Sequence, residues 1–427
     1  MSKPKILFYP AGYSGCAWWR IRNPVEALRR NYNDFEYIVI DHSMSREHVT
    51  NLCLEANLAI LQSPGSIEGR MTIENHLLNV YLHGSKVSDA VPVLIDYDDY
   101  SFDLSPVNPR YKDLGTKEVI LKDKNGKEKW LWKNGHMGFD LQSNIARYGQ
   151  FCRCVWQASG VTTTTEYLAG KFQRFNPNVF VLPNSIDFSK WGAIPRPDKT
   201  KNEIRIGWFG GDSHLNDLLA IKDIFQLIIN KYNNVKLVFI MPTPWPILDG
   251  IPRERVEIYP WTSLELYPLF LASMHWDIGL VPLSTQESDI EFNMCKSNIK
   301  WLEFASMGVP AVMTDIIPHA NTVEHGSNGI LVRNDILVRN DILVRNDGFL
   351  GAVCELIEDA NKRIKIGQNA YQTCRESYDL DKNCKIWYDL YTKMLDTKKT
   401  FWSTQCENDL MMPLRNAEKS SALMLQT

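Results

Sequence analysis

Residues 292–310 read Phe-Asn-Met-Cys-Lys-Ser-Asn-Ile-Lys-Trp-Leu-Glu-Phe-Ala-Ser-Met-Gly-Val-Pro. Ser297 is suited to cap a helix, and Gly308 followed by Val309-Pro310 stops it and leads into an apolar strand at 311–313. At 100° per residue, Lys296, Lys300 and Glu303 fall on one narrow stripe of that helix. Ile299, Trp301, Leu302, Phe304, Ala305 and Met307 cover the remainder, so almost no face is left for water and the helix should be buried. Charges on a buried helix are costly unless something pairs with them. Two pairings are open. Lys300 and Glu303 can form an (i, i+3) surface couple. Alternatively, the stripe meets a ligand with an anionic part and a hydroxylated part. Ammonium groups beside a helix N-terminus favour phosphate, and a carboxylate accepts hydrogen bonds from ribose hydroxyls.

The motif Lys-Ser-x-Ile-Lys-Trp-Leu-Glu-Phe-x-x-x-Gly-Val-Pro resembles the donor-binding segment of GT-B glycosyltransferases, in particular the Lys-Ser-containing branch of the retaining family four. The resemblance implies an α/β fold of two Rossmann-like doubly wound domains facing a central cleft. It implies that Glu303 holds the ribose of a nucleotide sugar, and that backbone amides around Ser297, Asn298 and Ile299 hold the diphosphate together with Lys296 and Lys300. Many members carry a second glutamate where this chain has Cys295, so recognition of the sugar hydroxyls falls in part to Lys296. No cofactor is required beyond the nucleotide-diphosphate sugar as donor substrate.

The 427 residues suffice for two α/β domains with sizeable cores. The net charge of −3, spread over interleaved charges, shows no basic stripe for nucleic acid. Nine scattered cysteines without metal-ligand spacing read as reduced thiols. The chain enters a strand directly, without a signal peptide, and no apolar run reaches membrane-spanning length. The expectation is a soluble, cytoplasmic protein, or one of the host cytoplasm if the chain is phage-encoded.

Strand-like runs at 5–9, 36–40, 58–61 and 91–95 alternate with helical stretches, the first at 17–31, which argues for a parallel, doubly wound sheet. Ligands on such sheets sit beyond the carboxyl ends of the strands. The loop after Tyr9 carries Gly12 and Gly15, which let a sugar or phosphate approach the backbone or simply make a tight turn. Arg20 follows, as an Arg does in the resembling branch. It is either a ligand group beside the reacting diphosphate or one half of a structural ion pair. After Ile95 come Asp96, Asp98 and Asp99. Read alone, Asp96 and Asp98 form a D-x-D suited to a divalent ion, but the distant donor motif argues for a different fold from the metal-dependent one. No metal is therefore assigned. Asp98 and Asp99 are expected on the acceptor side of the cleft, Asp98 in a catalytic role beside Arg20 and Lys300, unless they merely cap the next turn.

At 110–136 the α/β rhythm breaks. Val119-Ile120-Leu121, Asn125-Gly126 and Trp130-Leu131-Trp132 predict an inserted β-hairpin with a type I′ turn, either touching the acceptor or packing as a flap. Strands at 161–164 and 179–182 flank a helix at 165–175. Leu182-Pro-Asn-Ser-Ile-Asp187 resembles the motif that closes the first domain in the same family. The domains are thus expected at 1–195 and 203–378, joined by a Pro-rich linker at 194–202. A C-terminal helix at 379–397 crosses back to the first domain, and a loose tail occupies 398–427.

The second domain opens with a strand at 204–209 and the loop Gly210-Gly211, in form a phosphate cradle, then His214 and a helix at 215–232. Further strands at 235–240, 256–259 and 277–281 bring loops with Trp261, Thr262 and Leu283, natural walls for a base. From Ile330, the hexad Ile-Leu-Val-Arg-Asn-Asp occurs three times in tandem, too few and too short for a solenoid. One such strand is implied by the resemblance, so the added copies read as an expansion.

The expected activity is transfer of a sugar, hexosyl or pentosyl, from a nucleotide-diphosphate sugar to a hydroxyl, with retention of anomeric configuration. The acceptor and oligomeric state are open, a glycan, small molecule or hydroxymethylated DNA base among the former. A GT-B nucleotide-sugar epimerase and a non-catalytic nucleotide-sugar binder are the alternatives.

Overall fold

The computed structural model describes residues 2–41, 43–63, 91–122, 126–191, 202–211, 214–242, 246–333, 336–339, 342–345 and 347–396. The expected 194–201 portion of the linker, Asn125 of the hairpin turn, the loop after Ser63 and the tail lie outside them. Two six-stranded parallel sheets organise the chain. The first contains β1 (Lys5–Tyr9), β2 (Glu36–Val39), β3 (Leu58–Gln62), β4 (Val93–Asp96), β7 (Gly160–Thr163) and β8 (Val179–Val181), in the order β2-β1-β3-β4-β7-β8. The second contains β9 (Ile204–Phe209), β10 (Val235–Ile240), β11 (Val256–Tyr259), β12 (Ile278–Val281), β13 (Ala311–Thr314) and β14 (Ile330–Val332), in the order β11-β10-β9-β12-β13-β14. Their central strands are buried on both faces, which is why these runs are apolar throughout rather than alternating. The strand order reverses between β1 and β3 in one sheet and between β9 and β12 in the other, and crevices open at such switch points.

Between β4 and β7 stand the hairpin β5 (Val119–Lys122) and β6 (Glu128–Trp132) and the helix Leu141–Gln157. The hairpin is antiparallel, as its sequence predicts, with a bulge beside Val119. Trp132 packs on Tyr111 and Phe139 and donates its indole N–H to the Pro106 carbonyl at 2.5 Å.

The helix predicted from 17 is continuous from Gly15 to Asn31 but widens into a π-helical turn at Trp18–Arg22. Such widened turns recur at functional sites. The helix predicted at 215–232 is two helices, Leu215–Leu219 and Lys222–Lys231, with the break at Ala220 and Ile221. Of the three hexads, one is expected as a strand of the domain, and one is found there. Only the first enters the large sheet, as β14, while the second and third pair with each other as β15 (Ile336–Arg339) and β16 (Ile342–Arg345), a separate antiparallel ribbon.

Among the described residues, contacts between the domains include these three. The segment around Ile186 pairs with Asp379, Ile186 N–H donating to Tyr378 and Leu380 N–H donating back to Ile186. Helix Leu380–Leu395 then lies on the first domain, burying Cys384, Trp387, Tyr391 and Met394 against Ile6, Phe8, Ile21 and Leu28. Finally, Cys295 of the second half is buried among Leu7, Tyr97, Phe151 and Phe172 of the first. Beside it Glu291 accepts from Tyr167 at 2.9 Å and Lys171 at 2.6 Å.

Candidate active site

The quoted stretch forms helix Ile299–Ser306, and it is as buried as its composition requires. Trp301, Leu302, Phe304 and Ala305 sit in a core with Phe209 and Trp276, and the Trp301 indole donates to the Asn328 carbonyl at 3.1 Å. Gly308 takes φ +67°, the left-handed conformation that ends a helix cheaply only with glycine. The capping residue is Asn298 rather than Ser297. Ser297 is instead drawn toward the first domain, where its hydroxyl accepts from Asn184 at 2.9 Å. The Asn298 side chain donates to Thr322 at 3.1 Å.

In front of this helix lies a cavity of about 570 Å³ between the domains, at the carboxyl ends of β4, β9 and β12. Gly15, Asp98, Asp99, Gly210, Gly211 and His214 line it, as do Lys296, Ser297, Ile299, Lys300 and Glu303. Trp261, Thr262 and Leu283, which the sequence offers as walls, line it too, and Leu264 and Val281 add to its apolar side. Gly210 has a packing reason: a Cβ there would meet the Trp208 ring at 2.6 Å and the His214 Cβ at 3.3 Å. Gly12, with φ +133°, is not part of the lining and serves the turn.

The charged side chains of the cavity are held as follows. The carboxylate of Asp217 accepts from Ser284 N–H at 2.7 Å, from Asn293 at 2.8 Å and from His214 Nδ1 at 2.8 Å. Burial and two nearby ammonium groups push the His214 pKa down to about 3, so the ring is neutral. With Nδ1–H committed to Asp217, Nε2 is an acceptor, and Lys300 Nζ stands 2.7 Å from it. Burial, then Lys296, lowers the Lys300 pKa to about 7. Glu303 is 3% exposed, and burial raises its pKa to about 8 against hydrogen bonds from Tyr267 and Trp19. The surface couple is therefore corrected: Glu303 is interior, and Lys300 turns to His214 rather than to Glu303.

Across the cavity, burial raises the Asp98 and Asp99 pKa values, the charge of Asp99 adding to the rise at Asp98 and Lys296 opposing it at Asp99. Asp98 also accepts from the Cys16 thiol, which is held protonated.

Arg20, expected beside the ligand, is the structural ion pair instead. Its Nε and Nη2 grip Asp96 at 3.0 and 2.7 Å, and Nη1 bonds the Leu182 carbonyl at 2.6 Å and Asn184 at 3.1 Å. A fifth N–H reaches the Thr163 carbonyl at 3.4 Å, so every donor of the guanidinium is spent within the protein. Asp96 accepts additionally from Thr162 at 2.7 Å. Asp96 and Asp98 thus point to different surroundings, and among the described residues no three His, Cys, Asp or Glu side chains cluster closely enough to share an ion.

Sequence reasoning missed Trp19, Tyr267 and His319. The first two hydrogen-bond Glu303, and His319 lines the cavity as a neutral ring, its pKa pushed down by burial to about 4 and its Nδ1 2.8 Å from the Thr314 carbonyl. None of them carries a motif that marks it, although Trp19 lies within the helical stretch at 17–31. The described residues of the hairpin are not part of the cavity lining; Ile120, Leu121 and Trp130 are exposed.

No family model matches the sequence, and no curated protein matches it. Solved structures do. HepE of Anabaena, in complex with UDP, aligns over 91% of this chain and 100% of its own, with a TM-score of 0.56 and 12% identity. A sucrose-phosphate synthase of Thermosynechococcus elongatus aligns over 92% and 99%, with a TM-score of 0.56 and 10% identity. A glycosyltransferase of Rickettsia africae aligns over 93% and 100%, with a TM-score of 0.53 and 11% identity. At these identities the likeness is one of fold. The chain has the GT-B architecture: two Rossmann-like domains with a cleft between them. Among the described residues no helix is long and apolar enough to cross a membrane.

Proposed function

We propose that this protein is a glycosyltransferase that moves a sugar from a nucleotide-diphosphate sugar to a hydroxyl acceptor, with retention at the anomeric carbon. The observation that carries the reading is the cavity itself. A glycine pair, two lysines and a helix N-terminus converge on one part of it, while a buried carboxylate and an apolar wall stand beside them. That is the complement of a nucleoside diphosphate: cations and amides for the diphosphate, Glu303 for the ribose, Trp261, Thr262 and Leu283 for the base. The solved complexes of HepE with UDP and with UDP-glucose support a uridine nucleotide as the first to try.

Lys296, Lys300 and the helix N-terminus stabilise charge on the departing diphosphate, an electrostatic contribution that needs no protein base. Asp98 and Asp99 face the acceptor side. A thermal-shift panel of UDP-, GDP-, ADP- and dTDP-sugars tests the donor, since a ligand at 100 times its Kd adds about 2.7 kcal/mol. Product formation with candidate acceptors, and the anomeric configuration by NMR, test the transfer. Donor turnover to an epimer without acceptor would replace the transferase with an epimerase. Turnover is expected to survive EDTA, because the lysines already neutralise the diphosphate; loss restored by Mn²⁺ would contradict that.

A further inference from the structure

Lys300 is held from behind by a chain of buried groups that ends in a locked carboxylate. Asp217 is 2% exposed, and its oxygens are occupied by Ser284 N–H, the Asn293 amide and His214. Its charge fixes the proton of His214 on Nδ1, so Nε2 can only accept, and what it accepts from is the Lys300 ammonium 2.7 Å away. A histidine of the opposite tautomer would present an N–H to that ammonium and push it off. The arrangement aims Lys300 while leaving its remaining donors for the cavity. We propose that Asp217 and His214 are positioning residues that aim the Lys300 side chain into the cavity, where its neutral amine takes up one proton and becomes the ammonium as a diphosphate ligand binds. The inference rests on the donor-site reading above and goes beyond it.

The charges around Lys300 argue for this linkage. Facing it are Lys296 from the preceding loop, Asp217 and His214 from the segment after β9, and Glu303 from its own helix, with Asp99 from the first domain and neutral His319 beyond. Within the protein, burial and Lys296 make the Lys300 proton loosely held, with a pKa of about 7. A diphosphate beside both lysines reverses the balance, so the pKa of Lys300 in the complex lies above that in the free protein. By linkage, affinity is level below pH 7 and falls by about tenfold per pH unit above it, until the pH passes the pKa in the complex. Glu303, at about 8, and Asp98, at about 6, are other cavity groups able to exchange a proton in this range.

Calorimetric titration with the nucleotide sugars of the panel tests the proposal, because their diphosphate diester has no ionisation near neutrality and any proton exchange belongs to the protein. The slope of observed heat against buffer ionisation enthalpy is expected to show about one proton taken up at pH 8.5 and about none at pH 6. Lys300→Met should abolish the uptake at pH 8.5, and Glu303→Gln should keep it. His214→Leu and Asp217→Asn should each weaken the nucleotide sugar at least tenfold at pH 7 and the nucleoside monophosphate by less. His214→Gln, whose amide oxygen reaches the place of Nε2, should restore binding, whereas His214→Asn should not; that pair carries the test if the leucine variant is insoluble. Binding without proton uptake at pH 8.5, or uptake that persists in Lys300→Met, would overturn the linkage. Wild-type affinity in both His214→Leu and His214→Asn would overturn the positioning role. Absence of binding by every nucleotide sugar at either pH would remove the donor reading itself.

Discussion

Arg20–Asp96 and Lys300–Glu303 are both sets of charged groups near one cleft, and they are built in opposite ways. Arg20 and Asp96 are 2% exposed, and all five guanidinium N–H groups meet protein oxygens. Lys300 and Glu303 are buried without such closure: one has a histidine nitrogen for a partner, the other a phenol and an indole. Both are driven toward their neutral forms, the lysine to about 7 and the carboxyl to about 8. A closed pair stabilises the fold that contains it. An open pair opposes folding, and its retention in a cavity points to a ligand that completes it. In the first sheet the closed pair ties the π-helical turn to β4 and to the segment at 182–184 that carries Asn184 toward Ser297.

The largest expected effect comes from opening the closed pair. Arg20→Leu leaves Asp96 as an uncompensated interior charge and should cost about 3–5 kcal/mol in urea unfolding. A loss under about 1 kcal/mol would show that Arg20 is not the structural member of the comparison.

The open pair should respond in the other direction. A lysine whose folded-state pKa lies below its unfolded value of 10.5 opposes folding, fully below pH 7 and no longer once the pH exceeds the unfolded value. A carboxyl raised to about 8 opposes folding above that pH and ceases to do so below its unfolded value of 4.5. Lys300→Met should therefore stabilise the ligand-free protein at pH 6, and Glu303→Gln should do so at pH 9, each by about 1–2 kcal/mol. Thermal unfolding at the two pH values checks the sign. Destabilisation in both variants would mean that these charges are satisfied within the protein after all.

The smallest effect belongs to a region remote from either set. Deleting residues 336–347 removes β15 and β16 and brings Asp335 to the place of Asp347 ahead of Gly348, with β14 still in the large sheet. Stability should stay within about 0.5 kcal/mol of the full chain. An insoluble deletion would make the ribbon structural.

Much of the fold was legible because it is written locally. The strands at 204–209, 235–240 and 256–259 are apolar runs between turn signals, and they form where the pattern puts them. The helix at Ile299–Ser306 was legible for the same reason, and with it the joint placement of Lys296, Lys300 and Glu303 at one cavity. What was not legible depends on partners distant in sequence. Arg20 offered two readings because Asp96 and Asn184 stand 76 and 164 residues away, and nothing in its own neighbourhood marks them. Trp19 and Tyr267 reach Glu303 from two other elements, neither with a motif. Ser297 looked like a cap because caps are local, but a side chain of the other domain claimed it. The break at Ala220 and Ile221 likewise interrupts an unbroken helical pattern, so only the folded chain reveals it.

The central claim is that the open pair is a nucleotide-sugar site, and isothermal titration of a nucleoside mono- and diphosphate into Lys300→Ala and Glu303→Gln tests it most directly. If Glu303 meets the ribose, Glu303→Gln should weaken both ligands by a similar factor, about 1.5–3 kcal/mol or roughly 10- to 150-fold, at a pH above 8 where the carboxylate is ionised. If Lys300 meets the diphosphate, Lys300→Ala at pH 6.5 should weaken the diphosphate more than the monophosphate, with a loss that shrinks as salt rises. Unchanged affinities in both variants would contradict the account and remove the donor site from this helix.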